Sequence, residues 1–259
     1  NQEVNALKLL SRGLDSNFLK IVNSIIQTKG KVIVSGVGKS GHIASKIAST
    51  MTSTGSKAIF MHPTEASHGD LGLLDVNDTV LMLSKSGKSK ELLDLANYCK
   101  SNKIKTILIT AEKKCYLANL VNNIFLIPKT PEAGDNNLAP TCSTTMMLAL
   151  GDALALTVSK KKKFTKNDFG SFHPGGNIGA KFTLIKDIMH TGKYIPLATE
   201  TSKMSDILIE MSHKGFGCVG ITNKSKKLVG IITDGDLRRN MTKDLLIKNA
   251  KDVMNKKPK

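Results

Sequence analysis

Lys31-Val-Ile-Val-Ser-Gly-Val-Gly-Lys-Ser-Gly41 is the stretch on which the fold turns. The run from Lys31 to Ser35 is short and apolar and reads as a strand. Gly36 to Gly41 reads as a glycine-rich turn, and His42 to Thr54 as a helix. A strand that passes through glycines into a helix opens a βαβ unit with a parallel sheet. The same alternation continues outward. Further strands are expected at 57–61, 79–83, 106–110 and 124–127. Helices are expected at about 90–101 and in a long segment after Pro140, through Met146, Leu150, Leu154 and Val158. Before the first strand, Leu7, Leu10, Leu14, Phe18, Ile21 and Ile25 recur at helical spacing, as one or two amphipathic helices. The expected architecture is an α/β/α sandwich with helices on both faces of a parallel sheet.

Beyond residue 182 the texture changes. A helical pattern at about 204–214 precedes two strands at 218–222 and 228–233, joined by a turn as in a hairpin. Lys251-Asp-Val-Met254 echoes Lys186-Asp-Ile-Met189, so the second unit reads as one repeat followed by the opening of another.

The 259 residues carry 38 Lys plus Arg against 21 Asp plus Glu, a formal net charge of +17. That balance invites a nucleic-acid partner, but the composition argues against one. Only Arg12, Arg238 and Arg239 are arginines, aromatics are 4%, and Trp is absent. Guanidinium forks and stacking platforms are therefore scarce. The Lys160–Lys163 run follows an apolar helix, where cations complement the C-terminal dipole. No membrane-spanning helix is expected, because no run of about 18 apolar residues occurs. The four cysteines, Cys99, Cys115, Cys142 and Cys218, contain no C-x-x-C pair. This favours a reducing, cytoplasmic setting over a disulfide framework or a zinc knot.

Gly36-Val-Gly-Lys-Ser-Gly41 matches G-x-G-x-x-G. The dinucleotide reading needs an acid at the end of the second strand, and Phe60-Met-His-Pro63 stands there. A Walker loop fails too, since Ile33 occupies the position of its first glycine. What survives is a helix N-terminus suited to an anion, with Lys39 and Ser40 in the turn. Ser84-Lys-Ser-Gly-Lys-Ser89 is a second such turn, again between strand and helix. Its hydroxyls suit either a phosphate or the N-cap of the following helix. Three more segments carry candidate chemistry: His62-Pro-Thr-Glu-Ala-Ser-His68-Gly-Asp70, the polar loop around Glu132, and His173 in Phe172-His-Pro-Gly-Gly-Asn177. The six-residue spacing of His62 and His68 suits no usual zinc signature.

In their order along the chain, Val-Gly-Lys-Ser-Gly-His, Ser-His-Gly-Asp-Leu-Gly, Ser-x-Ser-Gly-x-Ser, Leu-Ala-Pro-Thr-x-Ser-Thr-Thr and His-Pro-Gly-Gly resemble the D-arabinose 5-phosphate isomerase family. That family joins a sugar isomerase (SIS) domain to a pair of CBS repeats. The resemblance implies an SIS domain over 1–182, a small α+β CBS repeat over 183–242, and the start of a second repeat over 243–259. It implies interconversion of D-ribulose 5-phosphate and D-arabinose 5-phosphate, feeding synthesis of 3-deoxy-D-manno-octulosonate for lipopolysaccharide or capsule. Lys39, Glu91, Glu132 and His173 fall on the family's catalytic positions. Gly55, Ser56, His62 and His68 fall on its substrate contacts. Ser40 and the Ser84, Ser86, Gly87, Ser89 loop would hold the phosphate. The family needs no cofactor, and His62 matches a position tied to inhibitory zinc. It is tetrameric, with sites completed between subunits.

Chemically, the isomerisation needs a base near C1 and C2, a proton shuttle between O1 and O2, and a cation for the enediolate. Glu91 or Glu132 would serve as base once desolvation raises its pKa. Lys39 would stabilise the oxyanion, and His173 or His68 would open the ring or carry the proton. Lys85 and Lys88 depart from the family's usual Ser-Asn-Ser-Gly-Glu-Ser and would face either phosphate or solvent. The resemblance implies a nucleotide cleft formed between two CBS repeats, so Thr233 and Asp236 would supply only half of such a site. The stub would leave unpaired surface, disordered or covered by another subunit. The rival readings are another sugar-phosphate enzyme on the SIS scaffold and a non-catalytic sugar-phosphate sensor.

Overall fold

The computed structural model describes residues 1–173 and 184–258. The chain divides into two units, Asn1–Phe182 and Thr183–Lys259.

The first unit is built on five parallel strands: β1 (Val32–Gly36), β2 (Ala58–Phe60), β3 (Thr79–Leu83), β4 (Lys105–Thr110) and β5 (Asn123–Leu126), in the order β2-β1-β3-β4-β5. Every residue of β1 and β3 is buried, as expected for strands covered on both faces. Side chains then divide with the two-residue period of the strand. Val32, Val34, Leu81, Leu83, Ile107 and Ile109 join one core; Ile33, Val80, Met82 and Leu108 join the other.

The first core is closed by α1 (Gln2–Arg12), α2 (Ser16–Ile26), α3 (Gly38–Ser53) and α6 (Cys142–Lys161). The second is closed by α4 (Pro63–Ser67) and α5 (Glu91–Ser101). The result is the expected three-layer α/β/α sandwich. The N-terminal segment resolves into two helices. Gly13 ends α1, and Asp15 caps α2 by accepting the Asn17 N–H at 2.8 Å.

Two details differ from the sequence expectation. Helix α3 begins at Gly38, four residues earlier than expected, so Lys39 and Ser40 lie in its first turn. The glycines explain this. A Cβ at Gly41 would stand 2.7 Å from the Gly36 carbonyl oxygen, and one at Gly36 would stand 2.9 Å from the Ser40 oxygen, so only glycines let the helix start directly on the strand end. Also, α6 is long and apolar enough by length and composition to cross a membrane, although no such helix was expected. Met146, Met147, Leu150, Leu154 and Val158 of α6 are buried in the first core.

The second unit holds a sheet of order β6-β7-β8, formed by Leu197–Thr199, Cys218–Thr222 and Leu228–Thr233. The last two pair antiparallel, as the hairpin reading requires. The short β6, which no strand expectation covered, pairs parallel with β7. Both copies of the echo form four-residue helices, Ile185–Ile188 and Ala250–Val253, each leaving into extended backbone at Met189 or Met254. Their surroundings differ. Ile185 is 77% exposed, whereas Val253 is 7% exposed and Ala250 is fully buried. The stub is therefore covered in part, although Leu246 and Ile247 remain exposed. It enters the unit's core, and Asn255 exchanges backbone hydrogen bonds with Ile231 of β8 at 2.8 and 3.0 Å.

Candidate active site

In a sheet of order 2-1-3-4-5 the connections after β1 and β3 leave on opposite faces. They open a crevice at the carboxyl ends of those two strands. Both anion-suited turns lie at that crevice: the first turn of α3 after β1, and Ser84–Ser89 after β3.

Ser84 is buried, and its hydroxyl lies 2.9 Å from that of Ser89. Ser86 Oγ accepts the Lys88 N–H at 3.2 Å. None of the three caps α5, which has no side-chain cap, so the hydroxyls are not spent on the helix terminus. Gly87 holds φ +60°, and a Cβ there would stand 2.1 Å from Cys115 Sγ. The loop is thereby pressed onto the segment after β4.

Glu132 is the most closely held group. Its side chain is 2% exposed. Oε1 accepts from Lys85 Nζ at 2.6 Å and from Ser143 Oγ. Oε2 accepts the backbone N–H groups of Thr141 at 2.8 Å and Ser143 at 3.1 Å. The carboxylate thus caps α6 from a residue nine positions before its cap residue. Burial alone would raise the pKa. The Lys85 ammonium, the Ser143 hydroxyl and the two backbone donors outweigh it and hold the group down at about 2. The expectation that desolvation makes Glu132 a stronger base is therefore corrected. Sequence reasoning did not find these partners. The signal was the hydroxyl-rich start of α6, Thr141-Cys-Ser-Thr-Thr145, together with a lysine in a phosphate turn.

Ser40 Oγ lies 4.0 Å from Met147 Sδ, one turn beyond Ser143 on α6. The α3 turn, the serine loop and the Glu132 segment therefore converge around the start of one helix. From the far side α1 holds the same segment: Gln2 Oε1 accepts the Gly134 N–H at 3.1 Å.

Lys39 and Glu91 are exposed and, among the described residues, make no side-chain hydrogen bond or ion pair. His62 Nδ1 accepts the Thr64 N–H at 3.3 Å and so caps α4; His68 ends the same helix and is exposed. His62 lines a cavity of about 240 Å3 with Gly38, Gly41, His42, Ser45 and Phe60. His173 lines a neighbouring cavity of about 660 Å3 that shares Ser45 and Phe60. His173 Nδ1 lies 2.8 Å from the Phe169 carbonyl oxygen, and its ring stacks on Phe169. The Pro174–Asn177 part of that turn lies outside the described residues, as does the domain boundary expected near 182. Among the described residues no three His, Cys, Asp or Glu side chains are grouped to hold a metal ion.

Gly55 and Ser56 do not join this assembly. They connect the end of α3 to the start of β2, where the Lys57 carbonyl accepts the Val32 N–H at the opposite edge of the sheet. There Ser56 is buried and accepts from Lys162 Nζ at 3.1 Å, while Gly55 at φ +92° makes room for the Phe164 ring.

A doubly wound sheet with two phosphate-suited turns at its switch point defines a sugar-phosphate-type α/β domain, and the second unit adds a small hairpin domain. The SIS domain matches residues 24–157, and the CBS domain residues 185–243. The chain belongs to the SIS family, in the branch that joins this domain to CBS repeats and contains the arabinose 5-phosphate isomerases. It is 42% identical over 255 residues to arabinose 5-phosphate isomerase KdsD of Yersinia pestis, covering 97% of this chain and 78% of that protein. An uncharacterized protein of Rickettsia prowazekii is 44% identical over 253 residues, covering 98% of this chain and 79% of that one. Among solved structures, an E. coli CFT073 protein in complex with arabinose 5-phosphate is 40% identical, with a TM-score of 0.65 over 67% of this chain and 92% of the other. The NanR protein of Vibrio vulnificus, at 19% identity and a TM-score of 0.58, shares the fold.

Proposed function

We propose that this protein is an aldose–ketose isomerase that interconverts D-ribulose 5-phosphate and D-arabinose 5-phosphate. The observation that carries the reading is the convergence of the serine loop, the α3 turn and the Glu132 segment at one switch point. The arabinose 5-phosphate isomerases support it at 40 to 42% identity over nearly the whole chain.

In this reading Ser84, Ser86, Gly87, Ser89 and Ser40 hold the phosphate, which fixes the reacting carbons. A carboxylate removes the proton from C2 of the aldose, and the electron pair forms the enediolate. A proton passes between O1 and O2, and reprotonation at C1 gives the ketose. Glu91 is the base, because a carboxyl group held at about 2, like Glu132, has little affinity for a proton at neutral pH. Glu132 orders the α6 terminus and Lys85. Lys39 stabilises the enediolate oxygen. His173 or His68 carries the hydroxyl proton, and His62 contacts the sugar and is the position open to inhibitory zinc. No cofactor is required.

Gly55 and Ser56 reach a substrate only from another copy, because in one chain they lie at the opposite sheet edge. This supports a homotetramer with shared sites. The product supplies 3-deoxy-D-manno-octulosonate synthesis in the cytoplasm. Incubation with D-ribulose 5-phosphate should yield D-arabinose 5-phosphate, and Lys39→Ala should abolish it. Folded, tetrameric wild type that gives no product would sink the assignment. Exchange of the C1/C2 hydrogen with solvent should be lost in Glu91→Gln. Retention of exchange there removes Glu91 as base.

A further inference from the structure

We propose that Lys85 is a positioning residue, set between the phosphate cradle and Glu132 so that the substrate's phosphate and this carboxylate stay ionised side by side. The inference rests on the isomerase reading above.

Lys85 stands between Ser84 and Ser86, inside the loop that would wrap the phosphate. Its main chain is pinned: the carbonyl accepts the Ala111 N–H at 2.9 Å and the Thr110 hydroxyl at 3.0 Å. The ammonium therefore starts from a fixed point, and it ends 2.6 Å from Glu132 Oε1. The two partners differ in access to solvent. Glu132 is 2% exposed, and the Lys85 side chain is 40% exposed. An ammonium has three donors. With one on Glu132, the others remain for an anion arriving from the open side of the loop.

The groups facing Glu132 come from every neighbouring element. Lys85 comes from the serine loop, Thr141 and Ser143 from α6, and Asn137 from its own segment. Helix α1 contributes Gln2 at Gly134 and Glu3 near Thr145. Lys85 is the cation of this set. A phosphomonoester seated in the serine loop adds up to two negative charges close to a buried carboxylate. Their repulsion weakens phosphate binding and favours protonation of Glu132, and an ammonium between them offsets both effects. An asparagine at position 85 could donate a hydrogen bond but could not supply that charge.

The test uses full-length wild type, Lys85→Asn and Lys85→Arg. It combines steady-state kinetics from pH 4 to 9 with calorimetric binding of inorganic phosphate. In Lys85→Asn, KM for D-arabinose 5-phosphate should rise about tenfold, and phosphate affinity should fall by a similar factor, the size of one charge-assisted contact. kcat should change less. The acid limb of kcat, set by the second ionisation of the bound phosphate at about 6, should move to higher pH, since that phosphate loses the cation that favours its dianion. Lys85→Arg should restore both. A Lys85→Asn protein that melts lower but keeps its acid limb and phosphate affinity overturns the proposal, because a structural role alone predicts that result. Wild type that binds phosphate through Lys85 yet turns over no pentose phosphate overturns the isomerase reading and leaves the charge bridge standing. Wild type that does neither overturns both.

Discussion

Glu132 Oε2 accepts the backbone N–H of Ser143 at 3.1 Å, so a side chain from the loop that leads into the longest helix of the first unit closes that helix's N-terminus. The same carboxylate takes the Thr141 N–H and the Lys85 ammonium. Replacing it by glutamine keeps an acceptor but removes the charge. Two backbone donors then face a weaker partner, and Lys85 loses its counter-ion. Glu132→Gln should lower stability by about 2 kcal/mol in urea unfolding at pH 7. Because Lys85 is partly solvated, the loss should stay below that of a fully buried pair. A variant within experimental error of wild type would show that the cap contributes nothing net.

The pKa of Glu132 dictates a pH dependence with a definite sign. The group sits at about 2 in the folded protein, below its unfolded value. Its stabilisation is therefore complete above the unfolded carboxyl range and is lost as pH falls towards 2. Wild type should lose stability between about pH 4.5 and pH 2 more steeply than Glu132→Gln, and the two curves should converge at the acid end. Parallel curves through that range would contradict the assignment. Asp168 and Asp236, also held low by local hydroxyl and backbone donors, contribute to the slope of both proteins and cancel in the comparison.

Much of this architecture was legible in the residues. The apolar runs at 31–35, 79–83 and 106–110 and the glycines between strand and helix carry the two-residue and helical periods that make a doubly wound sheet. What the residues could not reveal is how the turns meet. Lys85 and Glu132 are 47 positions apart, and their pairing depends on how β3, β4 and β5 lie side by side and on where α6 starts. Equally, nothing local tells that Gly55 and Ser56 lie at the far edge. That follows from α3 running antiparallel to the strands between them. The stub at 250–253 resembled its partner sequence so closely that only packing distinguishes a buried copy from an exposed one.

Ser84 and Ser89 test the phosphate cradle directly. Their hydroxyls are 2.9 Å apart, so each holds the other in place and leaves further donor and acceptor capacity towards a ligand. Ser84→Ala and Ser89→Ala should each raise KM for a pentose 5-phosphate by about tenfold, equivalent to one lost hydrogen bond to a charged group. The double variant should cost less than the sum, because the two hydroxyls share one network. Kinetics in which kcat falls and KM is unchanged would place the loop away from the phosphate.

Gly87 provides a test of the loop's geometry that does not depend on the ligand. Its φ of +60° costs any side-chain-bearing residue about 1–2 kcal/mol. An added Cβ would also meet Cys115 Sγ at 2.1 Å and Cys115 Cβ at 2.7 Å. Gly87→Ala should therefore destabilise by more than the backbone term alone, about 3 kcal/mol in total. Cys115→Ala removes the sulfur but leaves the Cβ, so in the Gly87→Ala background it should recover only part of the loss. The coupling between the two sites, measured by denaturant unfolding of the four proteins in the cycle, should be favourable by about 1 kcal/mol. Strict additivity would mean that the loop shifts away from Cys115 when the methyl is added. In that case the phosphate cradle would be softer than the Ser84–Ser89 pairing implies.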